Sequence, residues 1–215
     1  MTKQAYRDTK RILFYRLSLL MVLLVSVAAL TVLVEAGKTG AFDAFFTGII
    51  QHNKSRTMQI LMEMVTFIGT AYGVILILAG ICIRLWRRRA LPALKDVLGI
   101  SLFSFITEIS VKELVHRSRP LSWLGITASG YSFPSGHAIM IFVIAVELII
   151  ILRRFGRARW WMVTALLCIA AAVGVSRIYL GVHWPTDVLG SWLMGSIIIT
   201  AVNIVDIEEP RRKRQ

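Results

Sequence analysis

Three short polar clusters interrupt an otherwise apolar sequence, and their residue types could together bind and cleave a phosphate ester. They supply cations, two histidines, a carboxylate and a glycine at the start of a predicted helix. The cations could neutralise phosphate oxygens, while the histidines could act as a nucleophile and as a proton donor. The candidate residues, in chain order, are Lys112, Arg119, Ser135, Gly136, His137, Arg177, His183 and Asp187.

The first cluster pairs Lys112 with Arg119, which precedes Pro120. A residue before proline avoids the helical region, so Arg119 is expected in a turn that folds back over the helix end. An ammonium group and a planar guanidinium suit the non-bridging oxygens of a phosphate. Glu108 lies one helical turn before Lys112 and could orient it. Basic residues that snorkel at a membrane interface are the alternative explanation of this cluster.

The second cluster, 134–137, opens an apolar run with the sequence Pro-Ser-Gly-His. Ser135 is a favourable N-cap residue, and the free N–H groups of a first helical turn form an anion site. Gly136 would let a phosphate approach the backbone closely. His137 would then lie beside the anion and could donate a proton to a leaving oxygen. An ordinary helix cap with an interfacial histidine explains this cluster equally well.

The third cluster places Arg177 at the end of one apolar run and His183 just before the next. Pro185 suits the first position of a new helix, and Asp187 follows His183 by four residues, so the two side chains can meet. A carboxylate bound to one imidazole nitrogen fixes the tautomer and leaves the other nitrogen free to attack. This spacing favours His183 as a nucleophile over a helix cap with a chance histidine.

The apolar runs that carry these clusters predict an all-helical membrane protein. Hydrophobic residues make up 56% of the 215 positions, more than is usual for a soluble domain. Runs close to the roughly 20 residues that span a bilayer recur along the chain. They predict six transmembrane helices in a single bundle and a single domain over 1–215. The predicted spans are 14–34, 57–83, 94–113, 135–152, 160–178 and 187–205.

The distribution of charge predicts how this bundle lies in the membrane. Most of the 25 Lys and Arg residues fall in segments that would share one side, so that side, with both termini, is predicted to be cytoplasmic. The three clusters would then face the extracytoplasmic side of the plasma membrane. The net charge of +13 mainly reflects this topology and some attraction to anionic lipid. Because the cations are scattered between spans, no nucleic-acid partner is expected.

Taken in order, the three clusters resemble the signature of the type 2 phosphatidic acid phosphatases. The match reads Lys, six residues, Arg-Pro; then Pro-Ser-Gly-His; then Ser-Arg, five residues, His, three residues, Asp. These motifs occupy 112–187, and the six predicted spans resemble the layout of integral membrane members, in particular bacterial undecaprenyl-diphosphatases and phosphatidylglycerophosphatase B. Residues 179–190 also resemble the family, whereas Ser191 stands where a second glycine is common.

The resemblance implies a metal-independent lipid phosphatase that uses no cofactor. His183 would attack phosphorus and form a phosphohistidine, Asp187 would orient it, and His137 would protonate the leaving oxygen. The first two spans would shape lipid access and add no chemistry. The implied substrates are undecaprenyl diphosphate, phosphatidylglycerol phosphate and phosphatidic acid. The implied phosphate-binding residues are Lys112, Arg119, Ser135, Gly136 and Arg177.

Three other functions stay open on the sequence alone. A lipid phosphotransferase would use the same residues with a second lipid in place of water. A non-enzymatic transporter of lipid phosphates would need the cations but no oriented nucleophile. A metal site of two histidines and one carboxylate would have to form beside three cations that repel a metal ion. The outward segments also lack the acidic cluster that magnesium would need.

Overall fold

The computed structural model describes residues 3–126 and 128–212, and within them all regular secondary structure is α-helical. This confirms the predicted all-helical class. In chain order the helices are α1 Lys3–Glu35, α2 Gly40–Ile50, α3 Arg56–Phe67, α4 Ala71–Arg87, α5 Leu91–Val115, α6 Gly136–Arg154, α7 Trp160–Tyr179 and α8 Pro185–Arg212.

Several of these helices could cross a membrane, although fewer than the six predicted. Within the described residues, α1, α6, α7 and α8 contain apolar segments long enough to do so, and α3 with α4 would make a fifth span if the bent pair counts as one. Helix α5 is 25 residues long but carries charged side chains near both ends, which make its composition less apolar. The chain is therefore a multi-pass membrane protein with four or five candidate spans. The sixth span and the cytoplasmic termini stay predictions.

The predicted span 57–83 is two helices, which meet at a bend of 45°. Thr70 starts the second helix, because its Oγ1 accepts a hydrogen bond from Gly73 N over 3.2 Å. Gly69 lies so close to α6 that a Cβ added to it would be 3.0 Å from the Cβ of His137. The bend thus brings the α3–α4 junction against a candidate catalytic side chain. The length and hydropathy of residues 57–83 did not indicate this break. The pair Gly69–Thr70 was the available signal, because threonine is a common N-cap residue.

Helix α2 was not predicted, because its 11 residues are too few to span a bilayer. Its one ionisable residue is Asp43 in the first turn, and that side chain is 1% exposed. A buried carboxylate needs a hydrogen-bonded partner, so this short helix is tied to polar groups elsewhere in the bundle.

The centre of the bundle is formed by α6 and α8. One buried cluster includes Ile100 of α5, Ile139 of α6 and Met194 of α8, and Val34 joins it from α1. Helix α1 packs on α8 and otherwise exposes long apolar side chains, as a lipid-facing helix does. This packing brings the last turns of α5 and α7 to the same end of the bundle as the first turns of α6 and α8. All three polar clusters lie at that end.

Candidate active site

His183 and Asp187 form a buried pair at the start of α8. His183 Nδ1 is 3.2 Å from Asp187 Oδ2, and His183 Nε2 is 3.1 Å from Arg119 Nη1. A guanidinium can only donate hydrogen bonds, so Nε2 must accept and Nδ1 must carry the proton that it donates to Asp187. This tautomer leaves the lone pair of Nε2 directed toward the first cluster.

Burial keeps the imidazole of His183 neutral. Burial lowers the pKa of His183, the hydrogen bond to Asp187 raises it, and the charges of Arg177 and Arg119 lower it further, with a net decrease. Only the neutral ring has a lone pair on Nε2, so the environment favours the nucleophilic form near neutral pH.

Asp187 is held by donors from several directions, which fixes the orientation of its carboxylate. Its Oδ2 accepts from Ser132 Oγ and, over 2.8 Å, from Trp184 N, in addition to His183. Its Oδ1 accepts from Arg117 Nη1 over 2.5 Å. The side chain is fully buried, and these bonds satisfy a carboxylate that water cannot reach.

Arg117 and Asp43 belong to the candidate site, although the sequence analysis assigned neither of them a role there. Arg117 Nη2 lies 2.6 Å from Asp43 Oδ2, and Thr186 N donates to Asp43 Oδ1 over 2.9 Å. Helix α2 lies between the first two predicted spans, so a segment to which the sequence analysis assigned no role reaches the start of α8. A single acidic residue in the apolar sequence Gly-Ala-Phe-Asp-Ala-Phe-Phe was the available signal.

Arg119 lies in the turned segment predicted for it and folds back over the site. Besides His183, its guanidinium donates to the carbonyl oxygens of Ser129, Gly130, Tyr131 and Val182, over 2.8–3.1 Å. These bonds tie the loop that precedes the second cluster to the turn that carries His183. Arg119 is thus a structural link between two clusters, a role that its motif position did not reveal.

Lys112 forms the predicted pair with Glu108, with 2.5 Å between Nζ and Oε1. The Glu108 carboxylate also lies against Gly136, where an added Cβ would overlap it. Gly136 was expected to make room for a phosphate. In the structure the carboxylate of Glu108 occupies this space, so a negatively charged group of the protein lies beside Lys112.

Ser135 is the N-cap residue of α6, as predicted, but its side chain makes no capping hydrogen bond. Its backbone N–H instead donates to Ser191 Oγ over 2.8 Å, and Ser191 Oγ lies 2.7 Å from Asp187 O. The serine that replaces a common family glycine therefore links the second and third clusters. Ser135 Oγ is buried and has no hydrogen-bond partner within the described residues.

Arg177 lies at the end of α7, and Thr66 of α3 positions it. Arg177 Nη1 donates to Thr66 Oγ1 over 2.9 Å, while its buried Nε has no partner among the residues that the structure describes. Buried donors in native proteins usually have a partner, so this N–H and Ser135 Oγ are available to a bound group. The charged and titratable groups that act electrostatically on His137 are Lys112, Arg119, Arg177 and His183.

The sequence pattern of a known family covers most of the helices that build this site. The family described as the PAP2 superfamily matches residues 69–208. The chain belongs to the PAP2 superfamily. This match confirms the predicted relationship, and the family includes membrane lipid phosphatases.

Two similar sequences in this family carry phosphatase names. An undecaprenyl-diphosphatase of Sulfolobus acidocaldarius is 28% identical over 191 residues, which cover 86% of this chain and 87% of that protein. Phosphatidylglycerophosphatase B of Bacillus subtilis is 38% identical over 109 residues, 49% of this chain and 53% of that protein.

Two solved structures share the fold. A PAP2-type phosphatidylglycerolphosphate phosphatase from Bacillus subtilis superposes with a TM-score of 0.77 at 24% identity and covers 88% of this chain and 96% of its own. LpxE from Aquifex aeolicus superposes with a TM-score of 0.61 at 22% identity, over 76% of this chain and 94% of its own. At these identities the likeness concerns the fold of PAP2 membrane phosphatases.

Proposed function

We propose that this protein hydrolyses phosphate or diphosphate groups of membrane lipids through a phosphohistidine on His183. The observation that supports this most directly is the oriented lone pair of His183 Nε2. A transporter would need cations to bind a phosphate, but it would not need a buried carboxylate that fixes one tautomer of a neutral imidazole.

In the first step, His183 Nε2 forms a bond to phosphorus while the bond from phosphorus to the lipid oxygen breaks. His137 donates a proton to that oxygen, and Asp187 stabilises the positive charge that develops on the ring of His183. In the second step, His137 takes a proton from water, whose oxygen attacks phosphorus and breaks the P–N bond. Phosphate leaves, and His183 is neutral again.

Arg119 has to change partners when a phosphate binds. Its Nη1 donates to the same Nε2 lone pair that would attack phosphorus. When phosphorus approaches Nε2, this N–H can turn to a phosphate oxygen, so one guanidinium first holds the nucleophile in place and then stabilises the transition state. Its bonds to the loop carbonyls keep the rest of the side chain fixed during this exchange.

The other phosphate ligands would be Lys112, Arg177, Ser135 and the backbone of Gly136. The unpartnered buried atoms of Arg177 and Ser135 support this assignment. A substrate phosphate would have to compete with the Glu108 carboxylate both for Lys112 and for the place beside Gly136, because that carboxylate contacts both residues. Phosphoryl transfer depends mainly on positioning and charge neutralisation, and three cations can provide both without a metal ion.

The chemistry of the site points to a lipid phosphate as the substrate. The site lies at one end of apolar helices, where a phosphate head group can reach it while the acyl or prenyl tails stay in lipid. Undecaprenyl diphosphate and phosphatidylglycerol phosphate are the first candidates, because two relatives are named for them. Phosphatidic acid is the third. We place this end on the extracytoplasmic side of the plasma membrane, from the distribution of Lys and Arg.

The test is phosphate release by the purified protein in detergent with EDTA, using each of the three lipids. We expect release from at least one lipid, a trapped phosphohistidine that is stable in alkali, and loss of both in His183→Ala. Asp96→Asn is the matched control, because it removes a carboxylate from the exposed pair with Arg154 on another part of the bundle. Release abolished by EDTA, or retained in His183→Ala, would refute the mechanism. Transfer to an added acceptor lipid without release would indicate a phosphotransferase.

A further inference from the structure

We propose that Asp43 of α2 is a positioning residue for the His183–Asp187 pair and acts through Arg117. This inference rests on the proposed function, in which His183 is the nucleophile. Asp43 lies outside the region 69–208 that matches the family, so the match assigns it no role.

The contacts of Asp43 place the first turn of α8. Its carboxylate accepts from Thr186 N and from Thr186 Oγ1, each over 2.9 Å. The backbone N–H groups of a first helical turn lack partners within the helix, and an anion there is favoured by the helix dipole. Because Thr186 directly precedes Asp187, Asp43 fixes the backbone from which the catalytic carboxylate projects.

The second route runs through the side chain of Arg117. Its Nη1 lies 2.5 Å from Asp187 and its Nη2 lies 2.6 Å from Asp43, so one planar fork joins two buried carboxylates. Nη1 also donates to Thr186 Oγ1 over 2.7 Å. A guanidinium holds its donors in a rigid plane, so the position of Asp43 sets the direction from which Arg117 approaches Asp187.

The same contacts form a series of alternating charges that ends at the imidazole. Asp43 is negative, Arg117 positive and Asp187 negative, and His183 follows. The other charged or titratable groups that act on His183 are Arg119 from the loop, Arg177 from α7 and His137 from α6. Those groups stay unchanged when Asp43 or Arg117 is replaced, so their influence is common to all variants.

The charge series predicts opposite effects for the two single replacements. Arg117→Gln removes the cation that partly offsets the negative charge of Asp187. That charge then stabilises protonated His183 more strongly, so the pKa of His183 should rise. Asp43→Asn leaves the cation of Arg117 to act on Asp187 alone, so the pKa of His183 should fall. If Asp43 and Arg117 had a purely structural role, the two replacements would not shift the pKa of His183 in opposite directions. Each replacement should also lower kcat about tenfold or more with a smaller change in KM, because the nucleophile is misdirected.

The experiment is a titration of ¹⁵N-histidine-labelled protein in detergent by NMR, with His183→Ala used to assign the His183 signals. The spectrum reports both the tautomer and the titration midpoint of His183 and requires no turnover. We expect the Nδ1-protonated tautomer in the wild type, a higher midpoint in Arg117→Gln and a lower one in Asp43→Asn. The matched control Asp96→Asn should change neither the midpoint nor kcat.

Removing one partner of a buried ion pair can prevent folding, so the double variant Asp43→Asn with Arg117→Gln is included. It restores neutrality, and we expect its midpoint to return toward the wild type and its kcat to exceed that of either folded single variant. Midpoints that move in the same direction, or a double variant with a midpoint no nearer the wild type, would overturn the inference. The titration does not depend on phosphate release. An inactive wild type would therefore refute the proposed function, while the titration would still test the inference about Asp43.

Discussion

Replacing Arg119 by Lys tests whether this residue holds the loop or only binds phosphate. Lysine keeps the positive charge but has three donors on one nitrogen, which cannot reach the separate acceptors that the guanidinium contacts. The acceptors include the carbonyl oxygen of Val182, a residue that is 2% exposed, and those of Ser129 and Gly130, two exposed residues. Water can replace the donor at the exposed carbonyls but not at Val182.

This difference in burial sets how much stability the loop should lose in Arg119→Lys. A hydrogen bond to a charged donor contributes about 1.5–3 kcal/mol, and the exposed bonds contribute at the low end or below. Losing the bond to Val182 and weakening the others should therefore destabilise the loop by about 2–4 kcal/mol. That corresponds to a local opening about thirtyfold to a thousandfold more frequent, at about 1.4 kcal/mol per factor of ten.

Hydrogen exchange measures this opening at one suitable amide. Ser132 N donates to Arg117 O over 2.8 Å, and its side chain holds Asp187, so its amide reports the state of the loop beside the site. We expect faster exchange of this amide in Arg119→Lys, together with a loss of kcat/KM. Arg154→Lys, in the exposed pair with Asp96, is the matched control. A loss of activity with unchanged exchange at Ser132 would refute the loop-holding role.

Three further changes have defined outcomes. Asp187→Asn should lower kcat at least about hundredfold. In the proposed mechanism the neutral form of His183 reacts, so activity should fall as the pH drops through the pKa of His183, which burial places below its ordinary value of about 6.5. Loss of the carboxylate should move this fall in activity to still lower pH. A pH–rate profile shows the shift, and an upward one would contradict it. Thr66→Val removes the acceptor that positions Arg177 for the substrate phosphate, so it should raise KM several-fold with little change in kcat. An unchanged KM in steady-state assays would contradict this positioning role of Thr66. Ser191→Ala removes the shorter acceptor of the buried Ser135 N–H and leaves only its 3.4 Å contact with Asp187 O. This should cost about 0.5–1.5 kcal/mol, seen as a lower thermal unfolding temperature in detergent, and equal stability would exclude the link.

The three clusters could be predicted because each contains its own signal in a few consecutive residues. The spacing of His183 and Asp187 implied their contact, and the structure confirms it. The pairing of Lys112 with Glu108 follows from the same four-residue rule. Such local geometry is set by the helix, so it needs no knowledge of the fold.

The groups that support the clusters could not be predicted in this way. Arg117 and Asp43 are separated by 74 residues, and no spacing rule relates them. Ser135 is the N-cap residue that the sequence predicted, but no spacing rule predicts the contact of its backbone with Ser191 from a different helix. Gly136 was expected to adjoin a phosphate, and only the fold shows that Glu108 occupies that place. Long-range packing decides these contacts, whereas the sequence pattern reports local periodicity.

Two side-chain contacts join the N-terminal helices of this protein to the part of the chain that carries the candidate site. Asp43 and Thr66 precede the family region 69–208, yet they provide oxygen acceptors for Arg117 and Arg177. A chimaera that joined this region to unrelated leading helices would leave two guanidinium groups without these acceptors. Recombination within such a lineage should therefore succeed only with leading segments that bring a carboxylate and a hydroxyl to the same two places. The leading helices would then diversify in sequence around two inherited oxygen-bearing side chains.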